Sequence, residues 1–386
     1  MTGFDLAPLL ELLALGAVLG GLPLLWWVRR QRHNTPVLRL RALALLTLFL
    51  TFDLVVFGAF TRLTDSGLGC PDWPGCYGSA SPLGARDEIH AAQSAMPTGP
   101  VTHGKAWVEM IHRYLASAVG FLILVMAVLS WRWRRHVGLQ VSPWWASVTL
   151  VWVLAQGLFG ALTVTMKLFP AIVTLHLMGG LGLLVLLAWQ WQAYRPQPMR
   201  EGAAVLSKAV AVLFALCVLQ AALGGWVSTN YAVLACRDFP SCQGQWWPEM
   251  DFAHGFTLWR ELGAGRDGGW LPFAALTAIH VTHRLGALLV VLVLLGVVWA
   301  LRRWGGAQGR RWSWCLLGVV LWQVVSGLSN VVLGWPLLAA LAHTAGAAAL
   351  LTLLAVLLAR LRQGRRANTS ALNASTQTST NRTLHT

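Results

Sequence analysis

Nine long apolar runs, separated by polar segments, dominate the pattern of hydrophobic positions along the chain. The hydrocarbon core of a bilayer needs roughly 20 apolar residues per helix, which these runs supply. Backbone polar groups must pair within the segment in lipid, and no alternating strand pattern occurs, so the runs predict transmembrane helices and not barrel strands. The predicted spans lie near residues 6–28, 40–60, 106–130, 143–166, 171–194, 205–228, 272–301, 312–334 and 337–360.

Composition supports an all-α polytopic membrane protein. The chain is 56% hydrophobic and only 11% charged, with a mean hydropathy of +0.59, which lies far outside the range of soluble globular domains. The first run has neither a basic leader nor a small-residue cleavage site. We therefore interpret it as a retained helix and not as a signal peptide.

The formal net charge of +15 would suggest a nucleic-acid partner in a soluble chain. Here most of the basic residues fall in every second loop and after the last helix. The positive-inside rule assigns that side to the cytoplasm, with the N-terminus outside the cell membrane and the C-terminus inside. We therefore expect membrane lipid and no nucleic acid as a partner. The polar end from about Ala367 is predicted to be a disordered tail.

A nearly constant offset in residue number relates the two halves of the chain. Equivalent positions include Gly58 and Gly224, Gln156 and Gln323, Gly160 and Gly327, and His176 and His343. The sequence thus predicts duplicated four-helix bundles, eight helices in all, plus one extra N-terminal helix. The predicted regions are 1–36 (extra helix and basic loop), 37–200 (first unit), 201–366 (second unit) and 367–386 (tail).

Each of the two large predicted outer loops, about 61–105 and 229–271, contains one close cysteine pair, Cys70 with Cys76 and Cys236 with Cys242. A disulfide closing each loop fits the oxidising side of the membrane. A metal site is the weaker interpretation, because two cysteines without adjacent histidines do not supply four ligands. The remaining two, Cys217 and Cys315, fall within helices, where we expect small buried apolar residues.

Four histidines lie within predicted helices, two in each half: His112, His176, His283 and His343. One imidazole from each of two facing helices is the arrangement that ligates heme iron on both sides. A histidine hydrogen-bonded to a neighbouring helix is the alternative for any single residue, but it explains a duplicated set poorly. Zinc fits less well, because neither half offers a third ligand on the same helices.

Glu109 distinguishes the two halves, because its counterpart is His280. It precedes His112 by three residues and so shares its helix face. A carboxyl group beside a heme could transfer protons or stabilise developing positive charge, although an ion pair with Arg113 or Arg62 is also possible. Arg62, Arg113 and Arg284 are candidate partners for heme propionates, the alternative being contact with lipid headgroups.

Taken together, these residues resemble the heme A synthase family over about residues 40–360. The individual motifs are short, but their order within a duplicated four-helix frame is specific. The resemblance rests on Thr61-Arg62-Leu63-Thr64, Ser66-Gly67-Leu68, the two cysteine loops, Glu109-x-x-His112-Arg113, His176, His283-Arg284 and His343. The unpaired first helix departs from the usual eight-helix form of the family.

The resemblance implies an oxidoreductase that converts a methyl group of heme O to the formyl group of heme A by successive hydroxylations, for aa3-type cytochrome oxidase. It implies that His112 and His176 face the substrate heme O, that Glu109 is required for the chemistry, and that His283 and His343 ligate a heme b cofactor. It also implies that the first cysteine pair matters more for activity. Contact with heme O synthase and with cytochrome oxidase assembly, and an unidentified electron acceptor or donor, follow from the reaction.

Two other functions share part of this pattern. A diheme b-type membrane electron-transfer protein would use the four histidines but would leave Glu109 and the paired outer loops unexplained. A heme-handling assembly factor for c-type cytochromes would carry a tryptophan-rich outer motif, which Gln245-Trp246-Trp247-Pro248 matches only superficially. The tryptophans otherwise look like interface anchors.

Overall fold

A computed structural model of the protein describes residues 6–136, 141–266 and 268–383, with side chains described as far as residue 370. Within these ranges the chain is helical, and nine helices are long and apolar enough to cross a membrane, which confirms the predicted polytopic all-α class. Most helix ends fall within a few residues of the predicted ends. The helices are α1 (Ala7–Gln31), α2 (Pro36–Leu63), α3 (Arg86–Ala95), α4 (His103–Arg132), α5 (Trp144–Thr165), α6 (Pro170–Tyr194), α7 (Ala203–Thr229), α8 (Phe252–Gly255), α9 (Phe273–Trp304), α10 (Gly306–Val332) and α11 (Leu337–Thr383).

Local sequence signals set where several of these helices begin. Pro36 and Pro170 occupy the first turn of α2 and α6, where a missing backbone N–H costs no hydrogen bond. At the start of α4, the Thr102 hydroxyl accepts a hydrogen bond from the Lys105 N–H at 3.3 Å, as an N-cap residue does. Helices α4 and α6 begin on the side of the membrane that carries the cysteine loops, and α2 begins on the opposite side.

Two four-helix bundles form the membrane domain. One consists of α2, α4, α5 and α6, and the other of α7, α9, α10 and α11, and each pair of neighbours in the first bundle has its equivalent in the second. Between the bundles, α2 contacts α11 and α6 contacts α7, which are two copies of the same contact, while α6 and α11 meet each other directly. The bundles are therefore related by an internal two-fold axis that passes between α6 and α11.

Hydrogen bonds across this axis join positions that are equivalent, or one residue from equivalent, in the two halves. A two-fold axis produces such pairs, because each residue close to it meets the region of its own counterpart. At the outer ends of α2 and α7, where the halves are offset by 166 residues, exact counterparts meet: Arg62 Nη2 donates to Ser228 O (2.7 Å) and Tyr231 Oη to Asp65 Oδ1 (2.7 Å). Toward the other end, where the offset is 167, each pair is one residue from exact equivalence: Trp189 Nε1 donates to Ala355 O (2.9 Å) and Gln197 N to Gln363 Oε1 (3.2 Å). They occur at both ends of the helices, so the two halves are held together along their length.

The extra helix α1 packs on the outer surface of the first bundle, against α4. Gly16 permits this close approach, since an added Cβ there would lie 2.4 Å from the Cβ of Ser117. Toward the outer side, Leu12 joins an apolar cluster that contains the disulfide-bonded Cys70 and Cys76. The second bundle has no such helix in the described chain, so α1 braces only the first cysteine loop and α4.

The last helix runs to Thr383, past about Ala367, where the predicted polar tail begins. The side chain of Asn368 donates to Arg200 O at 3.1 Å. One expectation from the sequence, the burial of both helical cysteines, is corrected. Cys217 is buried as expected, but Cys315 is exposed on α10, and sequence alone did not identify that face.

Candidate functional site

The four intramembrane histidines lie at matched depths in the two bundles. His112 is nine residues from the start of α4 and His283 ten from the start of α9, or about 14–15 Å along the axis at 1.5 Å per residue. His176 and His343 each lie six residues into α6 and α11, about 9 Å from the start. Each bundle therefore brings two imidazoles to the part of the membrane that lies beneath the cysteine loops.

A glycine on the neighbouring helix makes room for each imidazole. A Cβ added at any of these glycines would meet the Cε1 atom of a histidine, so a larger residue would occupy space that the ring uses. The distances from such a Cβ to Cε1 are 2.9 Å for Gly58 and His112, 3.5 Å for Gly160 and His176, 3.1 Å for Gly224 and His283, and 3.1 Å for Gly327 and His343. The repeated glycines of the sequence are thus the packing partners of the repeated histidines.

The donor atoms of the first bundle fit a heme held between two histidines. Nδ1 of His112 and Nδ1 of His176 are buried and have no hydrogen-bond partner in the described chain, so these two rings are not used as structural hydrogen-bond donors or acceptors at that atom. No group of three or more His, Cys, Asp and Glu side chains that could hold a metal ion occurs among the described residues. Two imidazoles per bundle match the needs of heme iron, which takes its other four ligands from the porphyrin.

Glu109 is buried in the first bundle, with 4% of its surface exposed. Its Oε1 lies 2.5 Å from Arg113 Nη2, so the ion pair that the sequence left open is present. Its Oε2 accepts a hydrogen bond from the Cys70 N–H at 2.8 Å. Glu109 is therefore held between the helix that carries His112 and the first disulfide loop.

Arg113 and Arg284 hold the two disulfide loops in place. Both predicted disulfides form, Cys70 with Cys76 and Cys236 with Cys242. The guanidinium of Arg113 donates to three carbonyl oxygens of the first loop, those of Asp72 (3.1 Å), Pro74 (3.1 Å) and Gly75 (2.5 Å). The guanidinium of Arg284 likewise donates to Cys236 O (3.0 Å), Asp238 O (3.0 Å) and Ser241 O (2.9 Å). These contacts face the loops, and propionate binding by the same groups remains a prediction.

Arg62 lies where the two bundles meet at the outer side. Its guanidinium donates to Ser228 O at 2.7 Å, to Asp65 at 3.1 Å and to the Tyr231 hydroxyl at 3.0 Å, and it lies 4.2 Å from the centre of the Tyr231 ring. All of these partners are at the ends of α2 and α7 or just beyond them. Arg62 therefore connects the two halves at the outer ends of α2 and α7.

His280 and His283 lie one helical turn apart on α9 but have different surroundings. His280 is 4% exposed, and its Nδ1 lies 2.9 Å from Ala232 O in the second outer loop. His283 instead faces Gly224, as His112 faces Gly58. This arrangement supports His283 as the counterpart of His112 and gives His280 a structural role at the position that Glu109 occupies in the first half.

The fold and the site define a polytopic membrane protein built from two four-helix bundles, each with a pair of intramembrane histidines. A family model described as cytochrome oxidase assembly protein matches residues 41–355. The chain belongs to this family, the heme A synthase family. Helix α1 precedes the matched region.

Individual relatives agree with this assignment. The chain is 39% identical to heme A synthase from Shewanella oneidensis over 310 residues, which covers 79% of this chain and 92% of the relative. It is 30% identical to heme A synthase from Caulobacter sp. over 333 residues, covering 78% and 90%, and 26% identical to heme A synthase from Halalkalibacterium halodurans over 294 residues, covering 74% and 85%. The similarity therefore spans both bundles.

Sequence reasoning missed three residues of this region. Gln220 and Ser326 contact His283 and His343, and Tyr231 contacts Arg62. A comparison of the two halves could have identified the first two, because their counterparts, Leu54 and Phe159, are apolar. No signal pointed to Tyr231, which follows a helix end in an outer loop.

Proposed function

We propose that this protein is an oxidoreductase that converts a methyl group of heme O to the formyl group of heme A for aa3-type cytochrome oxidase, by successive hydroxylations. Membership of the heme A synthase family supports the reaction. The observation that carries the assignment of a site is the buried carboxylate of Glu109, three residues before His112, at a position where the second half has His280. A carrier of electrons alone would not require this difference.

The first bundle is the proposed substrate site. His112 and His176 bind the iron of heme O there, and Gly58 and Gly160 keep the space around the rings open. Oxidation of a methyl group develops positive charge on its carbon, which a fixed negative group in a water-poor site stabilises strongly. Glu109 supplies that charge, and its hydrogen bond to Cys70 and its ion pair with Arg113 prevent it from turning away.

The second bundle is the proposed site of a resident heme b. His283 and His343 would hold the iron, with Gly224 and Gly327 against the rings. A bound heme b supplies one-electron transfer. The bundle itself keeps the imidazoles at fixed depth and keeps water away from them. Arg62, Arg113 and Arg284 are the candidates for binding the propionates of the two hemes at the outer side.

The proposed location is the cell membrane, with the N-terminus outside and the C-terminus in the cytoplasm, because the basic loops all lie at one end of the helices. Lipid surrounds the apolar faces of α1, α5 and α10. Heme O is poorly soluble in water, so contact with heme O synthase would deliver it without passage through solvent. The electron acceptor or donor is unidentified. A diheme electron carrier is the less favoured function, because the relatives that cover both bundles are named heme A synthase.

Replacing Glu109 by glutamine tests the proposal. Glutamine keeps the shape of the side chain and can still accept from Cys70, but it removes the charge. We expect heme binding by Glu109→Gln to survive and heme A formation to fall by at least about 100-fold, the scale of losing one charge-stabilising group in an active site. The measurement is extraction of hemes and their identification by mass from membranes supplied with heme O.

Glu88→Gln is the matched control, since Glu88 is an exposed acid on α3 on the same side of the membrane. It should leave heme A formation unchanged. Turnover by Glu109→Gln at the rate of this control would show that the carboxylate is not catalytic. Failure of the unaltered protein to produce heme A or a hydroxylated precursor, with normal b-type heme spectra, would instead favour the electron carrier.

A further inference from the structure

The two bundles differ in what contacts the Nδ1 atom of each histidine ring. In the second bundle, His283 Nδ1 lies 2.9 Å from Gln220 Nε2, and His343 Nδ1 lies 3.1 Å from Ser326 Oγ. In the first bundle, Nδ1 of both His112 and His176 is buried without a hydrogen-bond partner among the described residues. Both bundles thus have the two histidines, but only the second has side chains in hydrogen-bond contact with their Nδ1 atoms.

Ser326 is well arranged to fix the tautomer of His343. Its hydroxyl donates to Trp322 O at 2.7 Å, one turn earlier on α10, which leaves its lone pairs available to accept from Nδ1–H of the ring. With the proton on Nδ1, the lone pair is on Nε2, which is the form of histidine that binds iron. A hydrogen bond of this kind also restricts rotation of the ring.

Gln220 supports His283 in a related way. Its amide nitrogen lies 2.9 Å from Nδ1 and 2.9 Å from the backbone oxygen of the same histidine, so the amide group packs against the ring on α9. Its Oε1 is buried and has no partner in the described chain. Rotation about the last side-chain bond exchanges the amide oxygen and nitrogen. This rotation gives up the bond to the backbone oxygen, and it lets Gln220 accept from Nδ1–H of His283 once Nε2 of the histidine is bound to iron.

The equivalent positions of the first bundle are apolar. The offset between the halves places Leu54 at the position of Gln220, and Phe159 at the position of Ser326. Neither side chain can form a hydrogen bond. The rings of the first bundle are therefore held by packing against glycine and not by hydrogen bonds from these side chains.

We propose that Gln220 and Ser326 are positioning residues that make the second bundle retain its heme, and that Leu54 and Phe159 leave the first-bundle histidines free to release one heme and take another. This inference rests on the proposed function, in which heme O must enter the first site and heme A must leave it, while heme b stays. Loss of a hydrogen bond to a metal-ligating histidine typically lowers metal affinity by about 10–100-fold. The difference between the bundles is therefore large enough to separate an exchanging site from a retaining one.

The test measures heme release and not turnover. The purified holoprotein is mixed with excess apomyoglobin as a heme acceptor, and the loss of b-type heme is followed by its absorption. We expect Ser326→Ala and Gln220→Leu to release second-bundle heme about 10–100-fold faster than the unaltered protein. Ser326→Thr, which keeps the hydroxyl, should restore slow release.

Ser329→Ala is the matched control. Ser329 lies three residues further along α10, is half-buried, and its hydroxyl donates to the backbone at Val325 O, at 2.8 Å. Release from Ser326→Ala and Gln220→Leu at the rate of this control would overturn the inference.

The reverse exchange tests the first bundle and does not depend on the second-bundle variants being stable. Phe159→Ser introduces the hydroxyl that the second bundle has, and we expect it to slow release of heme from the first bundle by about 10-fold. Unchanged release would contradict the proposal. Both measurements stand whether or not heme A is formed, so they separate a failure of this inference from a failure of the proposed function.

Discussion

Alanine at Gly58 tests whether the glycines that face the histidine rings set the positions of those rings. Carbon atoms in contact prefer a separation of about 3.5–4.0 Å. A Cβ at Gly58 would lie 2.9 Å from Cε1 of His112, so the ring would have to move by about 0.6–1 Å, or the helices would have to separate by a similar amount. At Gly160 the corresponding distance to His176 is 3.5 Å, which the packing accommodates without movement.

The shorter distance at Gly58 predicts a larger loss of heme A formation for Gly58→Ala than for Gly160→Ala. A displacement of about 1 Å at a reacting centre typically costs on the order of 100-fold in rate. We expect Gly58→Ala to lower heme A formation by roughly that factor and to alter the absorption spectrum of first-bundle heme. Gly160→Ala should remain within a few-fold of the unaltered protein.

Two other glycines serve as controls, one on α4 with His112 and one on α5 with Gly160. Nothing lies within 4 Å of a Cβ added at Gly120 on α4 or at Gly157 on α5, so Gly120→Ala and Gly157→Ala should leave both heme content and product formation unchanged. The assay is heme extraction with mass identification, normalised to the amount of folded protein in the membrane. Equal effects of Gly58→Ala and Gly160→Ala would refute the steric reasoning.

Two further predictions concern the cysteines and the second outer loop. Alkylation of the native protein in detergent without reductant should label Cys315, which the rest of the chain leaves uncovered. Cys217 should react only after unfolding and the four disulfide-bonded cysteines only after reduction, as mass spectrometry would show. Labelling of Cys70 in the native protein would contradict the disulfides. Hydrogen bonds from the Ser241 hydroxyl and from backbone N–H groups lower the pKa of Asp238 to about 2, below the value of about 3.9 in an unfolded chain. The hydrogen-bonded carboxylate should therefore stabilise the second outer loop above pH 4, and this stabilisation should be lost as the pH falls toward 2. Pepsin should therefore cleave Asp238→Asn faster than the unaltered protein at pH 4, and this difference in rate should narrow as the pH falls toward 2. Equal rates at both pH values would contradict this.

The sequence was sufficient to predict the membrane spans and the duplication. Apolar runs report helix length directly, because lipid demands backbone pairing within each helix. The two halves still match at the glycines and histidines, because each imidazole packs against a glycine and a change of either residue would disturb the contact. The histidine pairs and the two disulfides followed from position along the helices and loops.

Other features depend on how the helices face one another. The sequence placed Arg113 and Arg284 beside the histidines but could not show that their guanidiniums hold loop carbonyls, since those loops have no regular structure to predict. The exposure of Cys315 depends on the rotation of α10 about its axis. The support of His343 by Ser326 depends on the approach of α10 and α11.

The internal axis has the form of an isologous interface, in which the same patch on each unit meets its own copy, as in a two-fold dimer of separate chains. In such a dimer a substitution would change both copies at once, so one copy could not gain a carboxylate without the other. Fusion into one chain removes that constraint while the pairing of Trp189 with Ala355 still fixes the distance between the halves. The single chain can therefore hold Glu109 in one half and His280 in the other, which a dimer of identical chains could not.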